Sequence, residues 1–253
     1  MSKKIKIVDV VKPKNEMINF YGLKEVQKLN PSYYEPSYTN TLIKYNSRIG
    51  VVGASGAGKS QWLLNFIAQS PDTFEHIFVV HKMQESLYTF LEKQIGEKNI
   101  TFYKKLSEVP QPKDLPHQDK QKLLVFDDIV NDKDQSIVCE YFLRARKLNN
   151  GLSMCYLSQS YTKMPIFVRH QLNYLILLKV ASDSDFKRIV ANYSIGVDAK
   201  QLLDFYKDAI KPKPNFLKID IGASSSNKKF SKNWSAFYTI NADESDEKME
   251  YQK

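Results

Sequence analysis

The sequence has few cysteines and no long apolar segment, and both shortages exclude classes of protein. Its two cysteines, Cys139 and Cys155, cannot form the disulfide framework of a small secreted domain. Both lie in apolar periodic segments, which favours buried thiols in a reducing compartment. No apolar run approaches the roughly 20 residues of a transmembrane helix, and the charged N-terminus lacks the apolar core of a secretory signal. We therefore expect a protein that is neither secreted nor embedded in a membrane.

Acidic residues are outnumbered by basic ones. The chain carries 37 Lys and Arg against 28 Asp and Glu, a formal net charge of +9. Such an excess favours a polyanionic partner, although solubility alone also accounts for it. The 253 residues, 42% of them hydrophobic, suit one large domain or a domain with appendages.

Strand-like and helix-like segments alternate from Arg48 onward, without an internal repeat. This alternation predicts an α/β fold with a mostly parallel central sheet flanked by helices. Two final strands, 215–222 and 234–240, are predicted to form a C-terminal β-hairpin joined by the polar segment 223–233. The predicted organisation is a short N-terminal extension at 1–45, a domain at 46–241 and a flexible charged tail at 242–253.

A phosphate-binding loop follows the first strand of the domain. Gly53, Gly58, Lys59 and Ser60 match the pattern G-x-x-x-x-G-K-[ST], between a strand and a helix. Backbone N–H groups of such a loop surround phosphates, its lysine reaches the β- and γ-phosphates, and its hydroxyl binds Mg²⁺. A glycine-rich turn without a ligand is the alternative. The residues expected to surround ATP are Gly53, Ala54, Ser55, Gly56, Ala57, Gly58, Lys59, Ser60 and Gln61.

Two acidic residues end a second buried strand. Asp127 and Asp128 follow the apolar run Leu123 to Phe126, at the end of the strand where open α/β sheets bind ligands. Asp127 is expected to hold Mg²⁺ together with Ser60, and Asp128 to polarise the attacking water. The alternative is that these acids cap the following helix.

Two further absences narrow the class of P-loop protein. There is no N-K-x-D guanine motif, since "NDKD" (131–134) has the wrong order. The chain also has only a few arginines, whereas small-molecule kinases usually carry an arginine-rich lid. GTPases are therefore disfavoured, and a small-molecule kinase stays open.

Gln159 and several arginines complete the candidate catalytic set. Gln159 ends the strand that follows the acidic strand, and it could contact the γ-phosphate or the attacking water. A solvated glutamine is the alternative. Arg144, Arg146, Arg169 and Arg188 are candidates for an arginine that reaches the γ-phosphate of a neighbouring subunit, with Arg146 preferred. Each of them could instead form an ordinary surface ion pair.

The order of these motifs resembles the FtsK/HerA superfamily of DNA-pumping ATPases. The resemblance covers roughly residues 43–193 and is closest to the genome-packaging ATPases of large double-stranded DNA viruses and virophages. It depends on the P-loop, "LLVFDDI", the arginine-containing helix before the strand that ends in Gln159, and P-x-x-x-R-x-x-x-x-Y from Pro165 to Tyr174. One departure is Asp128, where many members of the superfamily carry glutamate.

The resemblance implies a RecA-like (ASCE) core and a homo-oligomeric ring, commonly a hexamer. The implied function is ATP- and Mg²⁺-dependent translocation of double-stranded DNA into a capsid, in a virion, host cytoplasm or virus factory. Capsid protein is then a further possible partner. Phosphate contacts would come from lysines in 81–86, 160–164 or 224–233. The alternatives are a small-molecule or nucleoside kinase and a nucleotide-gated assembly protein without catalysis.

Overall fold

A computed structural model describes residues 19–29, 32–83, 85–144, 151–194 and 196–240. The chain separates into two compact units, Met1–Ser32 and Tyr33–Lys253. The described part of the first unit contains a 3₁₀ turn, Phe20–Gly22, and helix α1, Lys24–Gln27. The tail predicted at 242–253 lies outside the described residues.

The described part of the second unit is built around one nine-stranded sheet. The strands are β1 (Arg48–Val52), β2 (His76–His81), β3 (Ile100–Tyr103), β4 (Lys122–Asp127), β5 (Ser153–Ser158), β6 (Tyr174–Leu177), β7 (Leu217–Asp220), β8 (Phe230–Lys232) and β9 (Ala236–Phe237).

The sheet order is β3-β2-β4-β5-β1-β6-β7-β8-β9, parallel from β3 through β6 and antiparallel from β6 through β9. The predicted fold class, a mostly parallel α/β sheet with antiparallel strands at its C-terminal end, is confirmed. The parallel strands all end at one edge of the sheet, here called the carboxyl edge. One strand, β5, separates β1 from the acidic strand β4.

Helices cover both faces of the sheet. A short helix, α2 (Tyr38–Thr41), precedes β1. Successive residues of a strand point to opposite faces. Leu123 and Val125 of β4 accordingly join one core cluster and Leu124 and Phe126 the other. The first cluster packs against α3 (Lys59–Ala68) and α4 (Ser86–Ile95). The second packs against α5 (Ser136–Arg144), α6 (Ile166–Gln171), α7 (Asp183–Tyr193) and α8 (Ala199–Ala209).

The antiparallel end of the sheet differs in detail from its prediction. Strand β8 lies inside the polar segment predicted as a connection, and it pairs with both β7 and β9. Phe230 and Ser231 of β8 are fully buried, and Phe230 is the apolar anchor in a stretch of lysines and serines. The predicted antiparallel C-terminal hairpin is confirmed, and β8 extends it into a meander of three strands.

The two cysteines are reduced and differ in exposure. Cys155 on β5 is buried as predicted, whereas Cys139 on α5 is only half-buried. Burial raises the pKa of both thiols, which keeps them protonated at neutral pH. None of the helices in the described part of the chain has the length and apolar character that a membrane span requires.

Candidate active site

The loop 53–58 joins β1 to α3 and is anchored by its neighbours at the carboxyl edge. The Gly53 N–H donates to the Ser158 carbonyl oxygen at 3.1 Å, and the Ala54 N–H donates to the Lys179 carbonyl oxygen at 2.8 Å. A Cβ at Gly53 would lie 2.8 Å from Leu178 Cβ and 3.1 Å from Ala57 Cβ. The loop therefore needs glycine at its first position, because the Leu178 and Ala57 side chains leave no space for a Cβ there.

The end of the loop has a different requirement. Gly58 has φ of 104°, a left-handed conformation that favours glycine, and it is the N-cap of α3. The Gly58 carbonyl oxygen accepts from the Trp62 N–H at 2.8 Å, but Gly58 has no side chain that could cap the N–H groups of Lys59, Ser60 and Gln61. The N–H groups of that turn are thus available to an anion, as a phosphate-binding loop requires.

Lys59 is half-buried and lies across the loop. Its Nζ donates to the Gly53 carbonyl oxygen at 3.1 Å and to the Ala54 carbonyl oxygen at 3.5 Å. Burial lowers the pKa of Lys59, while the charges of Asp127, Asp128 and Glu85 oppose that shift. The two predicted acids are thus close enough to act on the ammonium group.

Asp127 ends β4 and is 6% exposed. Its Oδ2 accepts a hydrogen bond of 2.5 Å from the hydroxyl of Tyr88, a residue of α4 that is 1% exposed. Burial raises the pKa of Asp127, and the hydrogen bond from Tyr88 opposes that rise. Tyr88 is a site residue that sequence reasoning missed, because its segment shows only the apolar periodicity of a helix.

Asp128 and Gln159 lie together at the ends of β4 and β5. The exposed Asp128 has φ of 50°, and its Oδ2 accepts a hydrogen bond of 3.1 Å from Gln159 Nε2. The next helix, α5, begins only at Ser136, whose N–H donates to Asp134 Oδ1 at 2.9 Å. The alternative that Asp127 or Asp128 caps that helix is therefore wrong.

Three of the four candidate arginines lie on helices that follow β4, β5 or β6. Arg144 ends α5, which leads back from the carboxyl edge, and its side chain is 60% exposed with Nε 2.5 Å from Glu140 Oε2. Arg169 lies in the last turn of α6, with its guanidinium 5.1 Å from the Tyr161 ring centre. Arg188 is exposed on α7. Arg146, the preferred candidate, lies outside the described residues.

The residues at the carboxyl edge fit a nucleotide with its metal ion. The loop offers backbone donors, Lys59 a cation, and Ser60 and Asp127 oxygen atoms of the type that Mg²⁺ prefers. Among the described residues, no group of three or more histidine, cysteine, aspartate or glutamate side chains is arranged to hold a metal ion.

The family model of the poxvirus A32 protein matches residues 36–247, which contain every site residue described above. The chain belongs to this family. Membership in the A32 family confirms the predicted resemblance to viral genome-packaging ATPases, and the chain is accordingly an ATPase of the packaging type.

Solved structures share the fold of this A32-family chain. The genome packaging NTPase B204 from Sulfolobus turreted icosahedral virus 2, in complex with ATP-gammaS, matches with a TM-score of 0.55 at 14% identity, over 78% of this chain and 100% of that one. The DNA-packaging ATPase B204 from Sulfolobus turreted icosahedral virus matches with a TM-score of 0.51 at 13% identity, over 72% and 96%.

A cellular ATPase matches as well. The cytoplasmic domain of the Thermomonospora curvata type VII secretion ATPase EccC has a TM-score of 0.50 at 16% identity, over 80% of this chain and 27% of that one. No curated protein sequence matches the A32-family chain. At these identities the structural matches establish the P-loop ATPase fold.

Proposed function

We propose that this protein hydrolyses ATP to move double-stranded DNA into a viral capsid. The observation that carries the proposal is the cluster at the carboxyl edge, where the loop and Lys59 meet Asp127, Asp128 and Gln159. B204, which shares the fold, is a genome packaging NTPase whose structure holds an ATP analogue. The domain at 46–241 would contain this activity, with 1–45 as an extension and 242–253 as a tail.

The residues divide the work of hydrolysis. The loop, from Gly53 to Gln61, would bind the phosphates, and Mg²⁺ bound by Ser60 and Asp127 would neutralise their charge. Lys59 places a cation beside the β- and γ-phosphates. Asp128 polarises the attacking water. Gln159 donates from Nε2 to the Asp128 carboxylate, and the same side-chain amide contacts the γ-phosphate or the water.

An arginine from a neighbouring subunit would complete the site in a homo-oligomeric ring, which we propose to be a hexamer. Arg144 suits that role because it is exposed and its described ion pair, to Glu140, lies within its own helix. A pair at this spacing on an exposed surface contributes only about 0.3–0.5 kcal/mol. Arg144 can therefore exchange Glu140 for a phosphate at little cost.

One of the three predicted DNA-contacting segments, 160–164, has the most suitable structure. Lys82 of the first segment is paired with Asp132, and Lys232 of the third lies 3.3 Å from Asp208. Lys228 and Lys229 of the third segment lie beyond the end of β7, at the edge of the sheet opposite Gln159. Lys163 of the second segment is exposed and follows Gln159 by four residues. We therefore place the main phosphate contact at Lys163.

The segment that carries Lys163 is also firmly held. The carboxylate of Asp185, which is 2% exposed at the start of α7, accepts hydrogen bonds from Ser160 Oγ at 3.0 Å and from the Thr162 N–H at 2.9 Å. Held in this way, Lys163 keeps a defined position relative to Gln159. That is what coupling between hydrolysis and DNA movement requires.

Duplex DNA is expected to stimulate ATP hydrolysis, and Lys163→Glu is expected to reduce that stimulation. Loss of a charged contact to phosphate should raise the DNA concentration for half-maximal stimulation by at least about tenfold. Turnover without DNA should stay unchanged. Lys98→Glu, the same change at an exposed lysine beside the start of β3, at the opposite edge of the sheet, is the control. If no form of DNA alters turnover of the assembled protein, the translocase proposal fails.

Tyr88→Phe is expected to raise the Mg²⁺ concentration for half-maximal hydrolysis by about 10–100-fold. That range is typical when the outer partner of a metal ligand is lost. Turnover at saturating Mg²⁺ should fall much less. Tyr141→Phe also removes a buried hydroxyl, one that donates to the Pro110 carbonyl oxygen on the other face of the sheet, and should leave the Mg²⁺ dependence unchanged. Equal Mg²⁺ dependence in both variants would exclude the role of Tyr88.

A further inference from the structure

A cavity of about 190 Å³ lies beside the phosphate-binding loop. Its walls include Gln61 and Trp62 of α3, Pro214 and Phe216 before β7, and Asn233 and Trp234 after β8. We call it the Trp62–Trp234 cavity. Gln61 directly follows Ser60, and a Cβ at Gly58 would lie 3.4 Å from Pro214 Cβ. The cavity therefore shares a wall with the loop.

The sheet register places the cavity at the carboxyl edge. Val52, the last residue of β1, is opposite Leu177 of β6, and Leu177 is opposite Leu217, the first residue of β7. Phe216 therefore enters the sheet at the edge that β1 leaves. The Asn233 N–H donates to the Phe216 carbonyl oxygen at 2.9 Å, which brings the turn after β8 to the same place.

The cavity and the acidic residues lie on opposite sides of β1. Asp127, Asp128 and Gln159 are on β4 and β5, on one side, whereas β6 and β7 are on the other. The base and the γ-phosphate are at opposite ends of an extended nucleotide, so a γ-phosphate near the acids places the base away from them. Across the loop, that direction leads to the Trp62–Trp234 cavity.

The walls of the cavity have the chemistry of a nucleoside site. Trp62, Phe216 and Trp234 contact one another, with ring centres 4.9–6.2 Å apart, and supply aromatic surface. The Asn233 amide is committed to the fold, since its Nδ2 donates to Asn215 Oδ1 and its Oδ1 accepts from the Phe216 N–H. By contrast, the Trp62 Nε1–H has no acceptor among the described residues, which is unusual for a buried indole.

We infer that the Trp62–Trp234 cavity receives the nucleoside end of the bound nucleotide, in contact with the indoles of Trp62 and Trp234. The inference rests on the proposed ATP site. A whole ligand usually occupies about 300–1,000 Å³, so a cavity of about 190 Å³ suits one end of the nucleotide and leaves the triphosphate to the loop. The loop supplies affinity for phosphate, and the cavity adds affinity for the base and ribose.

Tryptophan fluorescence of the full chain tests this assignment, because the two tryptophans of the sequence are the two in the cavity wall. Titration with ATP or ADP should change the emission. Inorganic triphosphate, which should compete with ATP for the loop, should change it by less than about a fifth as much. Binding of ATP without an emission change, or equal changes with ATP and triphosphate, would overturn the cavity assignment.

Two variants make the test quantitative. Trp62→Phe should raise the dissociation constant of ATP by about tenfold, because the nucleoside loses the Trp62 Nε1–H as a hydrogen-bond donor and part of its aromatic contact. The dissociation constant of triphosphate should rise by less than about twofold. Trp234→Phe, at a half-buried and more tolerant position, should act in the same direction. If both variants bound ATP and triphosphate more weakly by the same factor, the cavity assignment would be contradicted. Failure of wild-type protein to bind either ligand would instead contradict the proposed ATP site.

Discussion

Replacing Lys59 with alanine is expected to lower the rate of ATP hydrolysis by at least about 100-fold, because one preorganised charge that stabilises the transferred phosphate is lost. In the structure Lys59 Nζ contacts two carbonyl oxygens of the loop, so its position is set before a nucleotide binds. Alanine removes this cation from beside Asp127 and Asp128. The negative charges of the site then face the nucleotide uncompensated, and affinity should fall together with turnover.

Steady-state hydrolysis, with and without duplex DNA, measures this effect. DNA should not restore the activity of Lys59→Ala. Lys207→Ala, the same change at an exposed lysine in the last turn of α8, should retain wild-type activity. Circular dichroism spectra should superimpose for wild type and both variants, since the Lys59 ammonium donates to carbonyl oxygens of the loop rather than to the core. Comparable turnover in the two variants would place the nucleotide elsewhere on the chain.

Asp128→Asn is expected to lower turnover by about 10²–10³-fold while leaving ATP affinity within about threefold. A neutral amide cannot polarise the attacking water as a carboxylate does, and loss of acid–base assistance typically costs this much. Asparagine is the appropriate replacement because it tolerates φ of 50° and its Oδ1 can still accept from Gln159. Alanine at that position would add backbone strain to the chemical effect.

The neighbouring acid Asp134 provides the matched control. Asp134→Asn alters an exposed carboxylate of the same connection and preserves an acceptor for the Ser136 N–H. Its turnover should stay within about twofold of wild type in single-turnover and steady-state assays. If Asp128→Asn behaves in the same way, Asp128 does not assist the attacking water and Gln159 becomes the remaining group at that position.

The long helices and strands and the glycine-rich loop could be predicted from the sequence alone. The run His76–His81 forms β2, and the apolar residues before Asp127 form β4, because strands covered on both faces bury every side chain. The spacing of Gly53, Gly58 and Lys59 could be recognised because the backbone of a phosphate-binding loop requires these residues within a few positions of one another. The order of these segments also carried the resemblance to packaging ATPases.

Short elements and contacts between distant segments could not be predicted. Helix α6 has six residues and β8 has three, too few for a hydrophobic period to repeat. The hydrogen bond from Tyr88 to Asp127 joins residues 39 positions apart and depends on how α4 packs on the sheet. The Trp62–Trp234 cavity likewise combines α3 with the segments just before β7 and just after β8, and no local pattern encodes that combination.

The anchoring of the segment after Gln159 has a mechanical consequence. Ser160 and Thr162 both bond to the carboxylate of Asp185, so the first turn of α7 and the Lys163 segment move as one piece. In the proposed translocase, a displacement of Gln159 on loss of the γ-phosphate would therefore move Lys163 and the first turn of α7 together.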